Sequence, residues 1–204
     1  MYSELMAIMT LLIFPASIGL FLLAPNIILL LFGAEYADSA TALRILSFAI
    51  IFAIYGGLLS SVFNASRGLE KISLEATIIA AVVNFGLNIV LIPLVQEKGA
   101  AFTTVIAEAI TVLYCFFRSK DIRKFIDHKV IKKCLLEATG GCIEIFLIAL
   151  AVRKMVASNV LCIFLSVVFS IVVYAITLIV LKDRFALAFL YALEEKISER
   201  GGRK

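Results

Sequence analysis

Carboxylate and amide side chains lie inside several long apolar runs of this sequence. Glu108 and Glu144 each lie near the middle of such a run, and Asn84 and Asn88 lie four residues apart in another. A carboxylate among apolar residues must be protonated, paired or hydrated, which suits a proton carrier or a polar cavity. An amide there needs a hydrogen-bonding partner. The candidates for a substrate cavity or coupling site are Glu108, Asn84, Asn88, Asn64, Arg44 and Glu144.

Small and polar residues recur at helical spacing in three of these runs, so that each run has one polar face. Two interpretations remain open. In the first, the faces serve close helix packing, because small residues let backbones approach and amides link neighbouring helices. In the second, they line a hydrated cavity for a polar solute. The faces are Thr77, Ala81, Asn84 and Asn88; Thr104, Glu108, Thr111 and Cys115; and Gly57, Ser60 and Asn64, with Arg44 and Tyr55 on the opposite side of the last run.

The elements that must position these residues are membrane-spanning helices. Apolar residues make up 63% of the 204 residues and charged residues 17%, and a spanning helix needs roughly 20 predominantly apolar residues. The sequence therefore predicts an all-α polytopic membrane protein with a bundle over 1–181. The six predicted spans are 5–32, 41–65, 72–95, 100–117, 134–152 and 156–181.

The basic residues predict the orientation, because loops rich in Lys and Arg stay in the cytoplasm. Fifteen of the 19 Lys and Arg residues fall in one set of alternate loops and the tail. Both termini and the charged tail 182–204 are then cytoplasmic. In the basic segment 118–133, the apolar side chains share a helical face, which predicts a helix on an anionic lipid surface. A solvated charged loop is the alternative.

Other chemistry has little support in the sequence. Cys115, Cys134, Cys142 and Cys162 form no CxxC pair, and we expect small apolar residues without a disulfide or metal role. We expect no cofactor and no nucleic-acid partner. A membrane-bound glycosyl- or acyltransferase would need a cluster of carboxylates or histidines. The chain has one histidine and neither a DxD nor an HxxxxD motif, so we expect no enzyme.

Three segments resemble one family of transporters. They are LLLFGAEYADSATALRILSFAI (29–50), FNASRGLEK (63–71) and NFGLNIVLIPLVQEKGAAFTTVIAEAI (84–110). They resemble the bacterial polysaccharide and O-antigen flippases, which belong to the multidrug, oligosaccharidyl-lipid and polysaccharide exporter superfamily. The positions that match the family pattern are Asn84, Asn88, Ile92, Pro93, Gly99, Ala100, Ala101 and Glu108.

The resemblance implies a fold and an activity. The six spans resemble the last six of fourteen, in a protein of two lobes around a central cavity. An N-terminal lobe would then be a missing partner, and this chain a C-terminal portion. The implied activity is transfer of undecaprenyl-pyrophosphate-linked oligosaccharide across the bacterial cytoplasmic membrane for polysaccharide export, with Glu108 suited to cation coupling. The alternatives are a multidrug or lipid II exporter, and a truncated remnant or assembly subunit without transport activity.

Overall fold

Six long helices form most of the described part of the chain. The computed structural model describes residues 2–188 and 190–191, and the regular structure in that part of the chain is helical. Six helices there are long and apolar enough to cross a membrane. This confirms the prediction of an all-α polytopic membrane protein. The helices are α1 (Tyr2–Leu31), α2 (Ser39–Arg67), α3 (Glu70–Val95), α4 (Glu97–Arg118), α5 (His128–Met155) and α6 (Asn159–Val180).

The second half of α2 departs from regular α-helical geometry. The helix is α-helical over Ser39–Gly57, widens into π-helical turns over Leu58–Asn64 and ends in a 3₁₀ turn over Ala65–Arg67. Gly68, with φ of 68°, has the left-handed conformation that glycine adopts without steric cost. π-Helical turns are rare, and they are often found at functional sites.

Helices α3 and α4 form a tight hairpin. Pro93 lacks a backbone N–H, and the helix breaks at Val95 and Gln96, where Gln96 has φ of 54°. Helix α4 then begins at Glu97, three residues before the predicted start of its span. Gly99 lies against the backbone of α3, because a Cβ there would be 2.6 Å from the carbonyl oxygen of Leu91.

Helix α1 lies at the centre of the packing. It contacts α2, α5 and α6, and α2 in turn packs on the α3–α4 hairpin. Polar atoms cross several of these contacts. The hydroxyl groups of Thr10 and Tyr55 lie 2.6 Å apart, and the Tyr174 hydroxyl donates to the Leu11 carbonyl oxygen at 3.0 Å. Side chains such as Tyr55 therefore serve helix packing.

The basic segment 118–133 does not form the predicted surface helix. Asp121 has φ of 68°, a short 3₁₀ turn covers Ile122–Phe125, and α5 begins at His128. The Asp127 carboxylate caps α5 by accepting from the Lys129 and Val130 amides at 2.9 and 3.3 Å. The non-helical backbone at Asp121 and Asp127 therefore interrupts the single helix that the apolar spacing predicted.

Apolar residues of this segment pack against the protein, Ile122 completely and Phe125 in part, since Phe125 remains 42% exposed. Ile122 is 1% exposed and belongs to a core cluster with Phe63 and Tyr2. The Phe125 ring packs edge-on against Phe63, and the Arg67 guanidinium lies 4.0 Å from its centroid. The Lys124 ammonium, hydrogen-bonded to the exposed Asp121 carboxylate at 2.7 Å, holds the pKa of that carboxyl group below its usual value.

The chain beyond α6 is described only in part. Asp183 is 1% exposed, and its Oδ1 accepts from the Phe185 and Ala186 amides at 2.9 and 3.1 Å. This capping starts a helical stretch at 184–188. Most of the predicted charged tail, residues 192–204 together with Phe189, lies outside the described residues.

Candidate functional site

A polar cleft of about 430 Å³ opens between α2, α3 and α4. All three polar faces seen in the sequence contribute to it. The π-helical turns of α2 supply Ser60, α3 supplies Thr77 and Asn84, and α4 supplies the acidic residue. The lining consists of Gly56, Gly57, Ser60, Thr77, Ala80, Ala81, Asn84, Thr104, Ala107, Glu108 and Thr111.

Glu108 is the one ionisable residue among those lining residues. Its side chain is partly buried. Within the described part of the chain, no Lys, Arg or His forms an ion pair with it. A carboxylate in this position must be hydrated by the cleft, protonated, or neutralised by a cation that enters.

A chain of hydrogen bonds behind the cleft holds Asn84 in place. The Thr103 hydroxyl of α4, which is fully buried, donates to Asn88 Oδ1 at 2.6 Å. Asn88 Nδ2 then donates to Asn84 Oδ1 at 2.9 Å. The Asn84 amide NH₂ group forms no hydrogen bond with a described residue, so it remains a donor for whatever occupies the cleft. Asn88 itself does not line the cleft and acts as a positioning residue.

Asn64 is a cross-link between the three helices of the cleft. It is fully buried, its Nδ2 donates to Ser73 Oγ at 3.1 Å, and its Oδ1 accepts from Ser119 Oγ at 2.5 Å. These bonds join the end of α2 to the start of α3 and to the residue after α4. Asn64 does not line the cleft, so the packing interpretation applies to it.

We expect Asn64→Ala to destabilise the bundle by roughly 1–3 kcal/mol, because it leaves the buried Ser119 hydroxyl group without its partner. Thermal unfolding in detergent, followed by circular dichroism, measures the effect. Thr77→Ala is the matched control, since Thr77 is exposed and its hydroxyl bonds only to Ser73 O of its own helix. Equal stability of the two variants would contradict this role for Asn64.

Arg44 and Glu144 lie away from the cleft. The Arg44 guanidinium lies 5.6 Å from the centroid of Phe21 on α1, and its buried Nε has no hydrogen-bond partner in the described residues. Glu144 of α5 accepts from the Thr177 hydroxyl of α6 at 2.8 Å. The structure therefore places Glu108 and Asn84 together and separates the other four candidates from the cleft lining.

The cleft favours some occupants over others. Hydroxyl groups, an amide and one carboxylate suit the hydroxyl groups of a sugar, a proton or a metal cation. None of the described lining residues is basic. A phosphate group would find no charge partner among them.

A comparison with protein families identifies the family of the chain. The model of the lipid II flippase MurJ family matches residues 2–174, which is most of the chain. The chain belongs to this family. The MurJ family is one of flippases, so the match confirms the expected flippase relationship, while the finer expectation of a polysaccharide or O-antigen flippase goes beyond it.

The chain is also similar to an uncharacterized membrane protein of Methanocaldococcus jannaschii, to which it is 32% identical over 110 residues. The match covers 53% of this chain and 21% of that protein. The chain thus spans about a fifth of the length of the curated relative it matches.

Sequence reasoning missed the partners of the amide residues. The sequence did not indicate Thr103 or Ser119 as candidates. Thr103 nevertheless donates to Asn88, and Ser119 donates to Asn64, and both asparagines were predicted site residues. The available signal was the position of the turn at Gln96. In an antiparallel hairpin, residues about equally far before and after the turn meet, as Asn88 and Thr103 do. The Tyr114 hydroxyl, which donates to Glu75 at 2.7 Å, follows the same rule.

Proposed function

We propose that this chain is part of a flippase that carries a polyprenyl-pyrophosphate-linked saccharide across the cytoplasmic membrane. The observation that carries the proposal is the convergence of three polar helix faces on one cleft with Glu108, in a chain of the MurJ family. A lipid-linked saccharide has a polar head that needs a hydrated path and an apolar chain that stays in the bilayer. Transporters provide such a path near the middle of the membrane.

An apolar groove supports the same proposal. It lies between α1, α5 and α6 and has a volume of about 350 Å³. Side chains such as Leu20, Ile145 and Ile171 line it, with Ser166 and Ser170 as its few polar groups. Its lining suits a hydrocarbon chain, whereas the cleft between α2, α3 and α4 suits polar groups.

The family favours lipid II as the first substrate to test, and undecaprenyl-pyrophosphate-linked oligosaccharide is the second candidate. Both carry a pyrophosphate, for which the cleft offers no basic partner among its described lining residues. We therefore propose that the cationic contacts come from a second, N-terminal lobe. In the alternative function, the chain is an assembly subunit or remnant that transports nothing.

Complementation tests this proposal. Cells depleted of their own lipid II flippase receive either this chain alone or this chain fused behind the N-terminal lobe of a MurJ-family flippase. We expect the fusion to restore surface exposure of lipid II. A parallel strain that lacks an oligosaccharide flippase tests the second substrate. If the fusion reaches normal membrane abundance and restores neither activity, the chain is not a working flippase lobe.

We also propose that both termini lie in the cytoplasm. Two observations support this orientation. The Lys and Arg residues are concentrated in one set of alternate loops and the tail, and the basic segment 118–133 lies at the same end of the bundle as the start of α1. Ser3 Oγ donates to the Phe125 carbonyl oxygen at 2.6 Å and accepts from the Asp127 amide at 2.7 Å. Lys and Arg are retained on the cytoplasmic side.

Cysteine labelling checks this orientation. Single cysteines replace Tyr36 or Lys124 in a background with Cys142→Ser. Tyr36 is 54% exposed, and the Lys124 side chain is 75% exposed. The three other native cysteines are buried. We expect a membrane-impermeant maleimide to label position 36 in intact cells and position 124 only after permeabilisation. Labelling of position 124 in intact cells would reverse the orientation.

A further inference from the structure

Three side chains with metal-binding atoms meet where α5 begins and α6 ends. They are Cys134 and Glu137 of α5 and Asp183 just after α6, which are 2%, 8% and 1% exposed. The Cys134 sulfur and one carboxylate oxygen from each acid all lie within 4.8 Å of one another. Cys134 and Glu137 are three residues apart on a helix, so both side chains project from the same face.

The carboxyl groups of Glu137 and Asp183 face each other, and two of their oxygens receive no hydrogen bond from a donor group of the described residues. Glu137 Oε2 and Asp183 Oδ2 are buried and accept no hydrogen bond from any described residue. The remaining oxygens are already used, since Glu137 Oε1 lies 3.4 Å from Lys133 Nζ and Asp183 Oδ1 caps the following backbone. An unpartnered carboxylate oxygen is costly to bury. Both free oxygens therefore require a proton or a cation.

The charges of the cluster balance around a divalent cation. Two carboxylates and a thiolate carry three negative charges, and Lys133 supplies one positive charge. A bound divalent ion supplies the other two. Without it, Lys133 is the one basic side chain of the described residues that forms an ion pair with these acids, at 3.4 Å from Glu137, while Lys129 and Arg184 line the cleft beside them.

We propose that Cys134, Glu137 and Asp183 form a zinc-binding site. A thiolate with oxygen ligands suits Zn²⁺, whereas Mg²⁺ and Ca²⁺ prefer oxygen ligands alone. Three protein ligands leave one tetrahedral position for water. The contacts of Asp183 with backbone amides and of Glu137 with Lys133 orient two ligands from behind. An adjoining cleft of about 220 Å³, which includes Cys134 and Asp183 in its lining, provides an entry path.

This site departs from the expectation that the cysteines serve only packing. It lies apart from the polar cleft, on a different pair of helices, and does not depend on the proposed transport function. It would fasten α6 to α5 at the end of the bundle where α1 starts. A metal ion that binds the folded chain and not the unfolded chain would then stabilise the fold.

The test uses the purified full chain in detergent. Isothermal titration with Zn²⁺ measures stoichiometry, and Co²⁺ substitution reports a cobalt–thiolate bond through its near-ultraviolet charge-transfer absorption. We expect one ion per chain and a thiolate band. Cys134→Ser should abolish the band, and Glu137→Gln should weaken binding by more than about 100-fold, since even the loss of an outer-shell contact costs 10–100-fold.

Cys142→Ser is the matched control, because Cys142 lies two turns further along α5 and outside the cluster. It should keep full affinity and the thiolate band. The proposal is overturned if the wild-type chain binds no ion, if its cobalt form lacks the thiolate band, or if Cys134→Ser binds as tightly as wild type. The wild-type spectrum decides the matter even if a variant fails to fold.

Discussion

Replacing Glu108 by glutamine is expected to lower transport of the lipid-linked substrate by about tenfold or more, equivalent to ~1.4 kcal/mol or more. Glu108 is the one ionisable group among the lining residues of the cleft, and no basic side chain of the described residues pairs with it. The amide keeps the shape and hydrogen-bonding capacity of the side chain, so the fold should persist. The glutamine side chain, however, cannot exchange a proton or neutralise a cation. Transport by the fusion should therefore also lose its dependence on pH.

Glu97→Gln is the control for this experiment. Glu97 begins the same helix but is exposed at the turn, so its replacement should leave transport and pH dependence unchanged. Membrane abundance is measured beside transport in every strain. Normal transport with unaltered pH dependence in Glu108→Gln would exclude coupling through this residue. A parallel loss of abundance and activity would indicate that Glu108 supports the bundle only.

The helices were predictable because lipid imposes a simple requirement. Long apolar runs must satisfy their backbone groups internally, so each run is a helix wherever it packs. The polar faces followed from helical spacing, and the cleft joins three of them. Spacing along one helix could not reveal that Asn64 binds Ser73 and Ser119, because that contact depends on how the end of α2 meets α3 and α4.

The error at 118–133 has the same origin. The apolar residues there share a helical face, but their spacing does not predict whether lipid or the protein core covers that face. Ile122 packs into the protein core, and the left-handed Asp121 and the Asp127 cap interrupt the helix. The Cys134, Glu137 and Asp183 cluster was equally hidden, since Asp183 is 46 residues from Glu137 in the sequence and meets it only after α5 and α6 pack.

Replacing Gly99 by alanine is expected to destabilise the α3–α4 hairpin. The added Cβ would lie 2.6 Å from the Leu91 carbonyl oxygen and 2.8 Å from its carbon, so backbone atoms must move. Such overpacking costs about 1–3 kcal/mol, and alanine recovers at most ~1 kcal/mol through its helix propensity. The chain has no tryptophan, so circular dichroism during heating in detergent is the suitable measurement.

Gly86→Ala on the same hairpin separates crowding from propensity. No heavy atom lies within 4 Å of a Cβ built at Gly86, so this variant should match or exceed the wild-type stability. Because Thr103 follows Gly99 by one turn and positions Asn84 through Asn88, a shifted hairpin should also reduce transport by the fusion. If Gly99→Ala unfolds at the wild-type temperature, the close approach of α3 and α4 does not hold the cleft in shape.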